Sequence, residues 1–553
     1  MLPTLPLLLF LLLLLPVPLS PASPPAVQTC QDFIHCLISG GGGFPSNLIY
    51  APSNPNYSTI LESTIRDARF NSTSTPKPSL ILTPISTSQI QAAVLCSRRH
   101  DFHIRIRSGG HDYEGLSYSY SSHQQTPFPP FAVLDLASFR NVTVNRAEKT
   151  AWVQSGAVLG ELYYRIAKRS PHLAFPAGVT NTVGVGGHFS GGGFGFLVRK
   201  FGLAADNVID CRGRILDRAS MGQDFFWAIR GGGGNTFGIA VAWKIRLVTV
   251  PSTVTVFSVV RTIEQNGLDI ANKWQSVSSK LPKELSLDLL LTTTNRTKNR
   301  ATIKIAIFSA LFLGKTDKLL NLMQSKFPEL GLTGEDCKEM TWLESVVFHG
   351  GFPSNATVEA LLDRSKNSPL VWTLKYKCKS DFVRGDPIPE SALLKMWEKL
   401  MEIEPEFGGI LMFPWGGEME EISEFRIPFP HRGGNLYMIQ HMAYWSDEGE
   451  RHVGWLRELY DLAGDYVSRE PRSAYVNYRD LDIGMNGEEE EGYERARVWG
   501  EKYFGKNFER LVRVKTAVDP ENLFRNEQSV PPLPRGIRSQ RIAAGSQFDR
   551  CTL

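Results

Sequence analysis

The segment that most restricts how this chain can fold is 105–117, Arg-Ile-Arg-Ser-Gly-Gly-His-Asp-Tyr-Glu-Gly-Leu-Ser. It sets His111 directly behind a Gly-Gly turn that ends a strand-like run. Glycine lacks a Cβ, so it accepts positive φ and lets backbone N–H groups converge on an anion. Two further segments repeat the theme. Residues 175–195 read Phe-Pro-Ala-Gly-Val-Thr-Asn-Thr-Val-Gly-Val-Gly-Gly-His-Phe-Ser-Gly-Gly-Gly-Phe-Gly, and residues 227–238 read Trp-Ala-Ile-Arg-Gly-Gly-Gly-Gly-Asn-Thr-Phe-Gly. Three glycine-rich loops between strand-like runs suit a long phosphate-bearing cofactor spread over several turns. No strand-bounded Gly-x-Gly-x-x-Gly unit with a downstream ribose acid is evident, which argues against a nicotinamide fold.

Near the other end stand Tyr475-Val-Asn-Tyr-Arg-Asp-Leu-Asp482, Trp499-Gly-Glu-Lys-Tyr-Phe504, Val514-Lys-Thr-Ala-Val-Asp-Pro-Glu-Asn-Leu-Phe-Arg525 and Glu527-Gln-Ser-Val-Pro-Pro532. Together with the glycine loops, and in this order, these segments resemble the plant berberine bridge enzyme-like family. That family lies within the vanillyl-alcohol-oxidase superfamily of flavoproteins, and the resemblance spans nearly the whole mature chain. It implies an α+β, two-lobed flavoprotein: a PCMH-type FAD-binding lobe split in sequence, and a substrate lobe of antiparallel sheet covered by helices. The expected divisions are a signal peptide at 1–26, an N-terminal helical segment of the flavin lobe at 27–75, and the FAD-binding domain at 76–250. The substrate domain follows at 251–474, then a segment completing the flavin lobe at 475–534 and a loose tail at 535–553.

A chain of 553 residues is too long for one ordinary core, in keeping with two lobes. Hydrophobic residues at 42% and charged residues at 21% are those of a globular protein, and a net charge of +4 over this length argues against nucleic acid as partner. The acidic run Glu488 to Glu491 sits among glycines and reads as a solvated loop. Residues 1–20 are Leu-dominated and followed by Pro-Ala-Ser-Pro-Pro-Ala at 21–26, the pattern of a secretory signal, with an uncleaved membrane anchor as the alternative. Sequons at Asn56, Asn71, Asn141, Asn295 and Asn355 fit the same route. The expected destination is the apoplast and cell wall, or the vacuole, with no membrane association once the signal is removed. Seven cysteines leave at least one unpaired. The resemblance pairs Cys36 with Cys96, tying the first helix to the flavin lobe. Cys30, Cys211, Cys337, Cys378 and Cys551 show no metal-ligand spacing and read as thiols; no metal is expected.

Local pattern predicts a helix over 31–39, an entry strand within 76–84, and a helix over 88–99 behind an N-cap serine, with Ile90, Ala93 and Val94 at helical spacing. Strands are predicted at 103–107, 131–136, 151–155, 239–247, 254–260, 286–293 and 301–310, and a helix at 391–403. One departure from the family lies after Asp206-Asn-Val-Ile-Asp210. Only Cys211 and Arg212 precede Gly213-Arg-Ile-Leu216, roughly five residues fewer than relatives carry, which at about 3.3 Å each removes most of a hairpin. A tolerated shortening, an error in the gene sequence, or a lesion in flavin binding would each produce it.

The resemblance assigns His111 to the covalent bond with the flavin 8α-methyl, work a neutral imidazole can do. The family's second attachment uses a cysteine where this chain has Thr180, so a single bond to FAD is implied. Ser108, Gly109, Gly110, Gly186, Gly187 and Gly191 are expected at the pyrophosphate and ribityl parts, with Asp206 and Asn207 organising the loop beneath them. His188 corresponds to a residue near the pyrimidine ring, where a positive or donor group would stabilise reduced flavin; a purely structural role is the alternative. Tyr478 matches a tyrosine that acts as general base in several relatives, which requires its pKa to be perturbed from about 10; the alternative is an aromatic wall. In the monolignol-oxidising branch a lysine and a tyrosine assist, but this chain has Met438 and Phe194 there. Gln440 stands where berberine bridge enzyme itself has a glutamate, which disfavours carboxylate-assisted ring closure. Tyr475, His441, Tyr444 and Trp445 are lesser candidates for lining the substrate site. Val183 falls where relatives face the oxygen-approach side of the flavin, or is simply a loop hydrophobe.

The leading functional expectation is a secreted FAD-linked oxidase. It would oxidise a small organic substrate (an aromatic or allylic alcohol, a saccharide or a specialised metabolite) by hydride transfer to flavin N5, with O2 reduced to H2O2. Two alternatives stand beside it: a dehydrogenase using a non-oxygen acceptor, and a cell-wall glycoprotein of the family that has lost turnover. A monomer is expected.

Overall fold

Residues 285–291 alternate strictly. Leu285, Leu287, Leu289 and Leu291 are fully buried in one core, while Ser286, Asp288 and Leu290 face the other way into a cavity. Successive side chains of a strand fall on opposite faces, so such a run needs a core on one side only. In the computed structural model, which describes residues 25–534 and 536 except 41–42, 122–128, 213–216, 296–301, 366–373, 403–406, 448 and 488–491, this run lies in the largest sheet.

Two smaller sheets precede it. The first holds β1 (Ile49–Tyr50), β2 (Leu80–Leu82), β3 (His103–Arg107) and β4 (Phe131–Asp135) in the order β1-β2-β4-β3. Its three longer strands are parallel and β1 is antiparallel. Next come β5 (Val142–Asn145), β6 (Thr150–Gln154), the short β7 (Leu173–Ala174), β8 (Val208–Arg212) and β9 (Ala242–Arg246). Of these, β5-β6-β9-β8 form an antiparallel sheet, and β7 pairs with β10 (Val248–Thr249).

The large antiparallel sheet comprises, among the described residues, β11 (Val254–Thr262), β12 (Leu285–Asn295), β13 (Thr302–Phe312), β14 (Cys337–Met340), β15 (Lys375–Arg384), β16 (Phe407–Pro414) and β17 (Asn435–Trp445), in the order β14-β11-β13-β12-β16-β17-β15. One face packs on the helices Gly267–Val277, Glu390–Lys399 and Arg451–Leu462, with Trp274, Trp397 and Leu456 in the shared core. The other face looks toward the glycine loops.

Most predicted elements are present with shifted ends. The helix predicted from 88 is Thr87–Arg99, and its cap is Ser86, whose hydroxyl accepts from the Gln89 N–H while the Gln89 side chain reaches back. That reciprocal arrangement satisfies two otherwise orphaned donors and fixes the start one residue early. The strand predicted at 239–247 begins only at Ala242, because Ala240 gives its carbonyl to the Ser155 hydroxyl instead of a ladder. The first helix runs Pro25–Ser39, and Cys36 is bonded to Cys96 of the helix Thr87–Arg99. Cys211 and Cys378 are buried free thiols, whereas Cys30 and Cys337 are only partly buried. Asn56, Asn71, Asn141 and Asn355 are exposed.

The predicted signal as far as residue 24, Gly213-Arg-Ile-Leu216, Glu488 to Glu491, the side chain of Asn295, and the tail with Cys551 lie outside the described residues. No described helix is long and apolar enough to cross a membrane.

Candidate active site

The glycines around His111 are there because backbone meets backbone. A Cβ on Gly109 would lie 2.3 Å from the Gly184 nitrogen, and Gly110 has φ +72° with Thr64 O 2.3 Å from any Cβ. The first contact clamps segment 108–111 onto segment 182–184 and the second sets it against Thr64, with His111 facing a cavity of about 850 Å³. That size is at the upper end for ligand pockets. Ser108, Gly109, Gly110, Thr180, Val183, Gly186 and Gly187 all line it. At Gly187 a Cβ would meet nothing within 4 Å, so its backbone borders open space.

His111 Nε2 lies 3.0 Å from Thr182 Oγ1. Shielding from solvent, then the charge of Arg66, hold its pKa well below the usual histidine value, so the ring is neutral. Next to it, Asp112 accepts from Arg479 Nε at 2.8 Å. The neighbour of His111 is thereby tied to the neighbour of Tyr478.

Tyr478 lines the cavity opposite, packed in a cluster of aromatic rings. It stacks on Tyr113 with ring centroids 5.3 Å apart and 12° between planes, and meets Phe194 and Tyr475 edge-on. Tyr113 was not singled out from the sequence. Its hydroxyl accepts from Gln440 Nε2 at 3.0 Å, linking the His111 segment to β17. Its position two residues beyond His111 was the available signal, but no motif tells that the ring crosses to the facing sheet.

The downward perturbation expected of Tyr478 is not what the structure shows. Burial, then Tyr113 and Tyr475, push its pKa well above 10. Burial does the same for Tyr113 and Tyr444. Met438, where a lysine could have favoured phenolate, is fully buried in the apolar cluster of Phe382 and Trp415.

His188 lines the cavity, but its Nε2 accepts from the Gly178 N–H at 3.1 Å, and burial lowers its pKa to about 4. A positive charge there is therefore disfavoured at neutral pH, and the structural role is the one its contacts support.

Gly191, Asp206 and Asn207 do not line the cavity. Gly191 makes room for Asn477, whose Oδ1 would be 2.0 Å from a Cβ. Asn207 Nδ2 donates to the carbonyls of Phe201 and Leu203, and Asp206 accepts from the Leu203 N–H, so the two brace the turn at 201–207. Asp206 also holds Arg432 through two bonds of 2.9 Å, a pairing across 226 residues that the sequence could not disclose. Tyr475 and Tyr444 line the cavity. His441 instead pairs with buried Asp381, and Trp445 packs into the helix-covered core. Asp288 reaches the cavity from β12 without any motif marking it. Among the described residues no cluster of His, Cys, Asp or Glu could hold a metal ion.

Comparison with known proteins places this geometry. Residues 78–213 match the model of an FAD binding domain, and residues 474–531 match that of the berberine and berberine-like family. Berberine bridge enzyme-like 18 of Arabidopsis thaliana is 47% identical over 511 residues, covering 91% of this chain and 92% of that protein. The Bermuda grass isoallergen BG60 superposes with a TM-score of 0.83 at 48% identity, covering 90% of this chain and 100% of that one. The grass pollen allergen Phl p 4, described as having glucose dehydrogenase activity, is 44% identical with a TM-score of 0.84, over 91% of this chain and 100% of that one. A variant of it with valine in place of an isoleucine is described as a glucose oxidase.

Proposed function

The chain belongs to the berberine bridge enzyme-like family of FAD-dependent oxidoreductases, and we propose that it oxidises an alcohol of a small organic substrate in this cavity, with the flavin attached through His111 alone. The carrying observation is the opposition of two walls. One is the glycine-lined wall with a neutral, cavity-facing imidazole; the other is the cluster of Tyr113, Gln440 and Tyr478.

The residues fit FAD. The loops at 108–111 and 182–187 approach as closely as backbone allows, and Gly187 leaves open space where any side chain would intrude. Ser108, Gly109, Gly110, Gly186 and Gly187 would hold the phosphate-bearing part, and neutral His111 would form the covalent bond. Bound flavin supplies the hydride acceptor. Thr180 faces the same cavity but offers a hydroxyl, too weak a nucleophile to make a second link.

The protein's own groups orient the substrate. Tyr478 stays a neutral phenol and can donate to or accept from the substrate hydroxyl, Tyr113 stacks behind it, and Gln440 fixes the Tyr113 hydroxyl. The aromatic rings exclude water from the reacting carbon. Segment 475–534 completes the flavin lobe, a division supported by the ion pairs of Arg479 with Asp112 and of buried Arg105 with Glu527.

Oxygen is the acceptor we favour. Val183 lines the cavity beside Thr180, and among the relatives a single isoleucine-to-valine change separates a dehydrogenase from an oxidase. Secretion and glycosylation remain part of this reading, supported by the exposed sequons. The test is to mix the holoprotein anaerobically with a panel of phenylpropenyl alcohols, sugars and alkaloids and follow flavin bleaching, then admit oxygen and assay peroxide. Bleaching by no alcohol would overturn the alcohol-oxidation reading.

A further inference from the structure

The cavity face of the large sheet carries a row of polar groups that the reaction above does not use. Ser258 of β11 stands opposite Ser309 of β13, and Ser309 stands opposite Asp288 of β12, so the three lie abreast across adjacent strands. The two serine hydroxyls are 3.2 Å apart, and Ser286, two residues before Asp288, bonds to its carboxyl. All four line the cavity. The row runs inward from exposed Ser258 to Asp288, which is only 8% exposed.

A carboxyl buried to this degree is costly without a partner. No lysine, arginine or histidine among the described residues forms an ion pair with Asp288. The next residues on the same face, Leu290 and Ile307, are apolar, so that face of the sheet does not require an acid at 288. Asp288 lines the same cavity as Tyr478.

We propose that Asp288, with Ser258, Ser286 and Ser309, is a recognition subsite for hydroxyl groups of the substrate remote from the reacting carbon, so that the substrate is a polyol such as a saccharide. The inference rests on the proposed alcohol oxidation in the same cavity. Burial holds the Asp288 carboxyl protonated well above the usual carboxylate range, so it both donates and accepts, as the three serines do. Groups of that kind match hydroxyls, whereas a cationic amine would need an ionised acid. The aromatic rings of Tyr376, Tyr444 and Phe407 add apolar faces on which a sugar ring can rest.

The test compares wild type with Asp288→Leu, Asp288→Asn and Ser309→Ala, each as holoprotein. Half-saturation for anaerobic flavin bleaching is measured with glucose, maltose and benzyl alcohol, and maltose binding is measured separately by calorimetry. The expected result is that Asp288→Leu lowers the preference for sugar over benzyl alcohol at least tenfold. Asp288→Asn, which keeps a donor and an acceptor, restores it to within about threefold, and Ser309→Ala falls between. Calorimetry should show the same order. An unchanged preference, an equal loss for both substrate types, or no maltose binding by wild type would overturn the subsite. So would binding of benzyltrimethylammonium that depends on Asp288 while sugar binding does not, which would make it a cation site. If no alcohol bleaches the wild-type flavin but maltose binding still depends on Asp288, the oxidation reading fails and the subsite stands.

Discussion

At the residue scale, three side chains decide how the cofactor is held and how the substrate is handled. His111 is neutral and cavity-facing, and Thr180 has no thiolate to offer. His111→Ala should therefore leave all bound flavin releasable by acid precipitation, whereas wild type keeps its flavin in the pellet. Flavin remaining in the His111→Ala pellet would assign the link elsewhere. Tyr478 has its pKa raised by burial, so it remains protonated through neutral pH and beyond pH 10. A tyrosinate base would lose about 10²–10⁴-fold in rate on replacement by phenylalanine. A neutral phenol that only orients the hydroxyl predicts a loss of roughly tenfold in the Tyr478→Phe bleaching rate, the scale of one hydrogen bond. It also predicts no tyrosine inflection in the wild-type rate between pH 6 and 9. A loss above a hundredfold with such an inflection would restore the base.

At the scale of elements, the loop 180–184 carries both the missing attachment and the proposed oxygen gate. The Val183 N–H donates to the Thr180 carbonyl at 3.2 Å, and the Val183 carbonyl accepts from the Leu159 N–H at 2.9 Å, so the backbone at Val183 is held on both sides. In such a site, extra volume is met by local strain because the surroundings relax only partly. Val183→Leu should slow reoxidation of reduced flavin by oxygen at least tenfold in stopped flow, while substrate-driven bleaching changes little. Equal reoxidation rates would remove the gate from this residue. The loop was readable as a loop from its glycines. That Gly191 does not reach the cavity was unreadable, because it is Asn477, from a segment far along the chain, that packs on it.

At the scale of the molecule, the site exists only where distant segments are pinned together. Lys377 and Lys379 of β15 are buried against Asp480 and Asp482, just beyond Tyr478, at 2.9 Å for Lys377 to Asp480 and 3.0 Å for Lys379 to Asp482; Lys377 also pairs with Glu114. Arg199 makes a second clamp, donating to the carbonyls of Ser279, Leu281 and Trp415. Burial alone would raise the Asp480 and Asp482 carboxyls, but the lysines, and Arg457 at Asp482, overcome it and hold both below the usual range. Burial would lower Lys377, yet Glu114, Asp480 and Asp482 hold it above its usual value.

The signs fix the pH window. Depressed carboxylates stabilise above the unfolded value near 4 and lose that contribution as pH falls through their folded values. A raised lysine stabilises below about 10.4 and loses it as pH rises through its folded value. The cluster should thus act fully between about pH 5 and 10. Lys379→Met leaves buried carboxylate charge short of a partner and should cost about 3–5 kcal/mol at pH 7. The deficit should shrink toward pH 3 as the carboxyls protonate, measured by denaturant unfolding. A deficit independent of pH would mean that the lysine acts through packing instead.

What the sequence determined by itself was the set of loops that only glycine can form, the strands whose alternation demands a core on one face, and the identity of His111 behind its turn. Each is a local steric or periodic constraint, complete within a dozen residues. The family motifs added the flavin and the place of Tyr478. Tertiary structure alone decided which groups face one another across the cavity. Tyr113 meets Gln440 across 327 residues, Arg479 meets Asp112 across 367, and Asp288 arrives beside them from β12. It also decided the protonation of Tyr478, because a pKa follows from the burial and charges that the fold assembles around a group, and these belong to no single stretch of chain.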